Sequence, residues 1–503
     1  LQPLTSLDAS FVLAETPGRP MHISSISIYD PSTAETGPEG SPLRFKQIME
    51  RFRDAIYDVP MLRRRLVEVP ANLDFPYWIE DPDFDIEFHV RHIALPRPGD
   101  WRQFFIQLAR LHSRQLDMSR PLWEVYVIEG LNHLEGIPTG SFAVVQKVHH
   151  SAMDGVSVKN MFLALHDTQP IPRKHLQRKE PLLRESRPGM VSMMIKASQR
   201  AARRPLRFGR VLVQATDSLR RAAQEEKRGE IGPVIEAPHC RFSGSTSAYR
   251  AVTAAEFDLE EFLQLKRLRS HITLNDLALS VFGGALRQYL LDKHELPEQP
   301  LVAQVPVDIR DCASQLQGGN QINTLNASCG SDIEDPIARL DAVRASMQDG
   351  KKRLEIMGAS LLHDGIEALG PQATAMLYNL IYNSGSAGLL DKVMPESPNL
   401  VFSNMPGPAD AAYFGGAQLV WGTGLGPIMP TNGLFVAVSS ICGKLIYGIT
   451  ACREMMPDPD VFQQCLYESY EKTKRALSAA AIVEGSGAGG RRKVSSKRKL
   501  NRD

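Results

Sequence analysis

Ser141-Phe142-Ala143-Val144-Val145-Gln146-Lys147-Val148-His149-His150-Ser151-Ala152-Met153-Asp154-Gly155 is the stretch whose reading decides the fold. Residues 141–148 are rich in β-branched and aromatic side chains, a strand pattern, whereas Val156, Val158, Met161, Phe162 and Leu165 recur at helical spacing. The histidine pair therefore stands at a strand-to-helix turn. Asp154 is able to accept from main-chain N–H groups where the helix begins, and Gly155 tolerates a turn conformation that other residues resist. A neutral imidazole, with its ordinary pKa of about 6.5, suits removal of a hydroxyl proton near neutral pH, which makes His150 the leading candidate for a reacting base. Three other readings compete: a satisfied core histidine, a purely structural turn capped by Asp154, and a metal pair. The two histidines are adjacent rather than spaced as in H-E-x-x-H, and no C-x-x-C follows, so nothing here requires a metal.

Upstream, Trp123 to Glu129 reads as a strand preceding the motif strand. Phe45 to Tyr57 and Trp101 to Leu116 have helical spacing, the latter repeating Phe104, Phe105, Leu108, Leu111 and Leu116 on one face. These elements predict an N-terminal α/β domain over residues 1–180. Pro170, Pro172, Pro181 and Pro188 then break regular structure and open a basic connector over 181–245. There Lys196, Arg200, Arg203, Arg204, Arg207 and Arg210 alternate with apolar residues, which suits either an amphipathic helix at an anionic surface or a solvated linker helix packed on its own protein. Pro205 argues against one uninterrupted helix.

A second domain is predicted over 246–475. Ala254–Leu259, Leu301–Val307 and Asn399–Ser403 have strand character, and Leu274–Leu291 reads as a helix with Asn275-Asp276 at its start, where Asn275 serves at least as an N-cap. Residues 411–443 carry no Asp, Glu, Lys or Arg, yet glycine and proline interrupt them too often for a membrane span, and Leu434–Ser440 with Lys444–Ala451 read as buried strands. Ala373 to Tyr382, with Met376, Leu377, Leu380 and Ile381, is a candidate apolar wall. Residues 476–503, glycine-rich and then basic, read as a flexible tail able to meet anionic headgroups.

At 503 residues the chain exceeds the size of a single core, and 43% hydrophobic residues supply two. Its 58 basic and 57 acidic side chains give no overall field for nucleic acid. Six cysteines, at 240, 312, 329, 442, 452 and 465, show neither zinc-like spacing nor a disulfide framework, which favours a reducing cytoplasm; no secretion signal is recognisable.

HHSAMDG matches the HHxxxDG signature of the bacterial wax ester synthase/acyl-CoA:diacylglycerol acyltransferase family, and further segments resemble that family in the same order. They include Leu4-Thr5-Ser6-Leu7-Asp8, Pro20-Met21-His22-Ile23, Pro121-Leu122-Trp123-Glu124, Leu274-Asn275-Asp276, Val305 to Arg310, Asn399 to Pro408 and Ala451-Cys452-Arg453, spanning nearly residues 1–475. One departure is Gly433-Leu434-Phe435-Val436-Ala437, where the family often carries an Ala-Leu-Asn run; acceptor preference is what that touches. The resemblance implies an α/β fold of two chloramphenicol-acetyltransferase-like domains with the active-site channel at their interface. It implies transfer of an acyl group from acyl-CoA, a substrate rather than a resident cofactor, to a fatty alcohol or diacylglycerol, without a covalent acyl-enzyme. His150 is then the base and His149 its support. Asp154 organises the turn, pairing with an arginine such as Arg310, and Gly155 and Asn275 contribute to substrate binding, Asn275 also to the oxyanion. Transfer to another hydroxyl acceptor, or a non-catalytic lipid-surface protein, are the alternatives; a cytoplasmic location at the inner membrane face or lipid droplets goes with either.

Overall fold

The computed structural model describes residues 2–34, 45–152, 155–173, 189–308, 322–358, 361–382, 398–408, 410–429 and 432–494. In chain order the first half forms β1 (Gln2–Pro3), α1 (Ser6–Ala14), β2 (His22–Asp30), α2 (Phe45–Asp58), β3 (Arg64–Val67), β4 (Tyr77–Glu80), α3 (Ile86–His89), β5 (Val90–Ala94), α4 (Trp101–Ser113), β6 (Trp123–Glu129), β7 (Phe142–His149) and α5 (Gly155–Leu165). A long helix, α6 (Met190–Lys227), leads to β8 (Arg250–Asp258), α7 (Leu259–Arg267), α8 (Leu274–Asp292), β9 (Val302–Asp308), β10 (Ile322–Ser328), α9 (Pro336–Met357) and α10 (Leu361–Tyr382). The chain closes with β11 (Leu400–Pro406), β12 (Tyr413–Phe414), β13 (Ala417–Leu425), β14 (Leu434–Ile441), β15 (Lys444–Cys452) and α11 (Pro459–Val494).

Two six-stranded sheets organise these elements, in the orders β12-β13-β2-β7-β6-β5 and β10-β9-β11-β14-β15-β8. Every residue of β7 is buried, because both faces of this central strand are covered, and Gln146, Lys147 and His149 are buried along with its apolar residues. That placement forces Lys147 into the interior, where its ammonium bonds the Arg114 carbonyl and lies 3.6 Å from Glu124. Burial lowers the Lys147 pKa to about 8, against the pull of Glu124. Trp123 of β6 is core, its indole N–H bonded to the Leu62 carbonyl at 2.6 Å, as a Pro-Leu-Trp strand segment suggests.

The two halves share a strand across the seam between them. β13 leaves the second half and pairs antiparallel with β2, from Gln418 opposite Asp30 to Leu425 opposite Ser24. Its Trp421 is buried beside Trp101 and donates its indole N–H to Glu256 of β8 at 3.0 Å. Where β13 crosses β15 the backbones nearly touch: a Cβ on Gly448 would stand 2.3 Å from Thr423 Oγ1 and 2.6 Å from the Gly424 carbonyl oxygen.

Three local expectations are corrected. Helix α6 runs through Pro205. Met193 and Ala197 pack before the proline, and Arg204 and Arg207 on either side of it bond Asp74 and Glu367, offsetting the lost main-chain bond. Helix α11 continues to Val494 across the glycine-rich run that reads as flexible; Phe462, Leu466, Tyr470 and Leu477 anchor it to the second core, and an anchored helix extends with one new bond per residue. The candidate wall on α10 is not a wall, since Met376 (73%), Leu377 and Leu380 face solvent. No described helix is long and apolar enough to cross a membrane.

Candidate active site

β7 ends at His149, a short 3₁₀ turn takes His150 to Ala152, and α5 begins at Gly155. Main-chain bonds pin this turn from two sides: His149 N–H donates to the Leu122 carbonyl at 2.9 Å and His150 N–H to the Met21 carbonyl at 2.8 Å. The neighbouring strands β6 and β2 thus fix the backbone that carries both rings.

His149 is wholly buried and fully used. Its Nδ1 accepts from the Ser151 main-chain N–H at 3.1 Å, so the neutral ring carries its proton on Nε2, which donates to the Glu15 carboxylate at 2.9 Å. The same carboxylate accepts from Met21 N–H at 2.8 Å and from the Gln115 amide at 3.2 Å. Ser151 Oγ lies 2.6 Å from His149 Nδ1, so Ser151, His149 and Glu15 have the order of a hydrolytic triad. Ser151 is itself buried and its partner nitrogen is shared with a main-chain donor, so the three form an internal brace.

His150 is half-buried, whereas His149 is sealed. Phe11 of α1 stacks on its ring, centroids 4.0 Å apart and planes 16° from parallel. Burial in this setting lowers the His150 pKa to about 4; a ring hydrogen bond to its own carbonyl opposes the shift and His149 adds to it. The ring is therefore neutral near pH 7.

The seam between the two halves runs beside this turn. His22, which faces His149 across the β2–β7 pair, bonds the His112 carbonyl at 2.7 Å through Nε2. His112 in turn accepts from or donates to Ser24 Oγ at Nδ1 (2.8 Å) and meets the Gly426 carbonyl of the second half at 3.1 Å through Nε2. Since a carbonyl only accepts, His112 Nε2 carries the proton and Ser24 donates to Nδ1. Burial lowers the His112 pKa to about 3 and that of His22 well below its ordinary value. Arg250 of β8 spans the same seam to the Gly18 carbonyl at 3.2 Å. Phe435, at the point of departure from the family pattern, packs over Gly426, where a Cβ would stand 2.3 Å from its ring.

The remaining candidates separate. Asp154 and Arg310 lie outside the described residues, and Gly155 is the first residue of α5. Asn275 is not the cap of α8: Thr273 is, its Oγ1 accepting from Asp276 N–H at 3.1 Å while Asp276 accepts from Thr273 N–H at 2.7 Å. The Thr-x-x-Asp spacing carries that cap and leaves Asn275, half-buried at the second helical position, outside both the cap and the histidine network. Glu15, Phe11 and Ser151 escaped the reading of the sequence; Glu15 is 134 residues from His149, and no local pattern joins them. Among the described residues the donors closest to a metal-like grouping are His363, Asp364 and Glu367, and Glu367 is already paired with the Arg207 guanidinium, which opposes a cation there.

The sequence matches the wax ester synthase/diacylglycerol acyltransferase catalytic domain over residues 4–278 and the C-terminal domain of the same family over residues 318–474. A relative in Mycobacterium tuberculosis (strain ATCC 25618 / H37Rv), named "Putative diacyglycerol O-acyltransferase Rv1760", is 31% identical over 478 residues, covering 94% of this chain and 90% of the relative. The wax ester synthase/diacylglycerol acyltransferase of Marinobacter aquaeolei VT8 superposes with a TM-score of 0.64 at 25% identity over 95% of this chain and all of that one. The starter condensation domain of rhizomide synthetase, solved with C8-CoA, shares the fold at 12% identity and a TM-score of 0.52, covering 95% of each chain. The mixed α/β architecture is thus the chloramphenicol-acetyltransferase-like one, and the chain belongs to the wax ester synthase/diacylglycerol acyltransferase family of acyltransferases.

Proposed function

We propose that the protein transfers a fatty acyl group from acyl-CoA to the hydroxyl of a long-chain alcohol or diacylglycerol, giving a wax ester or triacylglycerol and free CoA. His150 Nε2 removes the hydroxyl proton as the oxygen attacks the thioester carbon; the C–S bond then breaks, and the imidazolium returns its proton to the departing CoA sulfur. No covalent acyl-enzyme forms. The observation that carries this reading is the state of His150: partly open to solvent, stacked on Phe11, and neutral with a pKa of about 4. General-base assistance supplies about 10²–10⁴-fold, so alignment of two substrates and stabilisation of the oxyanion must furnish the rest. Asn275 is assigned to that second task, and Asp154 and Gly155 to shaping the turn.

Support for the acyl donor comes from the relatives: the mycobacterial protein is named for acyl transfer to diacylglycerol, and the condensation domain was solved with an acyl-CoA. Family membership removes the non-catalytic alternative. Transfer to a different hydroxyl acceptor stands as the second reading, because Phe435 occupies the departure from the family pattern and covers Gly426. A competition assay with one acyl-CoA, a fatty alcohol and a diacylglycerol, reading esters by mass and CoA by thiol titration, decides between them. Ester on either acceptor supports the proposal; free CoA with neither ester, or no turnover, contradicts it.

A further inference from the structure

Helix α6 has three faces, and among the described residues one of them packs against the rest of the protein. At 100° per residue, Met193, Ala197, Ser218 and Ala222 fall on one side and are buried. Beside them Arg200 and Arg204 reach Asp74 at 2.9 and 3.4 Å, and Arg207 bonds Glu367 of α10. Asp74 is buried, so these contacts clamp the helix to the first half.

The opposite face is apolar and exposed. Val191 (70%), Met194, Ile195, Leu206 (71%), Leu212 and Val213 (69%) lie within an arc of about 120°, and the exposed side chains of Met376, Leu377 and Leu380 add a strip on the adjoining α10. Apolar side chains gathered in this way, rather than scattered singly, mark an interaction surface.

The flank between the two faces carries Lys196, Arg203 and Arg210, spaced by seven residues. They are exposed and make no ion pair among the described residues. From 190 to 213 the helix has six basic side chains and no acidic one. A second copy of the chain would bring like charge against this half of the helix, whereas an anionic bilayer complements the flank and takes up the apolar arc. The absence of a spanning helix among the described residues leaves α6 lying along the surface.

We propose that the exposed face of α6, from Val191 to Val213, docks the protein on an anionic phospholipid bilayer, with Lys196, Arg203 and Arg210 at the headgroups and the apolar arc below them. Arg200, Arg204 and Arg207 do not take part; they hold the helix to the body. This inference is independent of the chemistry assigned to His150.

The test is co-sedimentation of the full chain with vesicles of phosphatidylcholine alone and of phosphatidylcholine mixed with phosphatidylglycerol, beside light scattering in the absence of lipid. Preferential binding to the anionic vesicles is expected. The triple variant Lys196→Gln, Arg203→Gln, Arg210→Gln should lose roughly 100-fold in partitioning onto them. Leu206→Ser, Leu212→Ser, Val213→Ser should abolish binding, and both variants should keep wild-type unfolding temperatures. No wild-type binding, equal binding to both vesicles, or binding unaffected by either variant overturns the proposal. So does a wild-type dimer that the serine variant converts to monomers, since the occupant is then a second copy.

Discussion

Glu15, at the C-terminal end of α1, accepts the Nε2 proton of His149 at 2.9 Å and so ties the first helix to the turn that carries His150. Glu15→Ala strands two buried donors, His149 Nε2 and Met21 N–H, at about 1–3 kcal/mol each, whereas Glu15→Gln keeps an acceptor oxygen. Urea unfolding should therefore show a clear loss for the alanine variant and a smaller one for glutamine. Equal stability of the alanine variant and wild type would remove the brace.

Ser151 separates direct transfer from a covalent route. With Ser151 buried and serving His149, Ser151→Ala should keep ester formation within about tenfold of wild type, the loss reflecting one hydrogen bond of about 1 kcal/mol. Mass spectrometry of wild type with acyl-CoA alone should find no acylated enzyme. Abolished turnover in the variant together with an acyl adduct on Ser151 in wild type would reverse the assignment.

The depressed pKa of His150 sets the acid limb of activity. An ordinary histidine, at about 6.5, is only about one-quarter neutral at pH 6, whereas a group at about 4 is almost wholly neutral there. kcat/KM should consequently be flat between pH 8 and 6 in the free enzyme. An inflection near pH 6.5 would contradict the burial argument.

Stability should behave differently. His112, His150 and His166 have folded-state pKa values near 3, 4 and 4 because burial disfavours their charged forms, while in the unfolded chain they titrate near 6.5. Below 6.5 the unfolded state binds more protons, so stability is full above that pH and is lost as pH falls toward 4, by up to about 1.4 kcal/mol per pH unit for each histidine. Calorimetry from pH 7.5 to 5 should record a falling unfolding temperature, with a shallower slope for His112→Asn. A flat profile would exclude these rings as buried neutral groups.

The crossing of β13 over β15 gives a packing test. Gly448→Ala places a methyl group 2.3 Å from Thr423 Oγ1 and 2.6 Å from a backbone oxygen of β13, which must move. A loss of about 1–3 kcal/mol in unfolding free energy is expected. An unchanged transition would mean that the two sheets are not in contact there.

Local order was legible where a pattern closes within one element. The β-branched and aromatic run up to Val148 and the helical spacing after Gly155 located the turn of the histidine pair, and Trp123–Glu129, Phe45–Asp58, Leu274–Asp292 and the β14–β15 hairpin lie within a residue or two of their predicted bounds. Long-range relations were not. Nothing near Trp421 says that its strand pairs with β2 rather than with its own half, because strand partnership is set by the whole core. Pro205 misled for the same reason, its local cost being offset by ion pairs with Asp74 and Glu367. At the site, His150 was readable as a residue type at a turn, while Glu15 and Phe11 become visible only once α1 is folded against it. Thr273 was legible and overlooked, since Thr-x-x-Asp before an apolar run is a capping box.

The central claim is that the His150 ring removes the acceptor proton, and single-turnover ester formation by His150→Ala with saturating acyl-CoA and acceptor tests it most directly. The variant should bind acyl-CoA and unfold like wild type while ester formation falls by about 10²–10⁴-fold. A variant that forms ester at the wild-type rate would contradict the account.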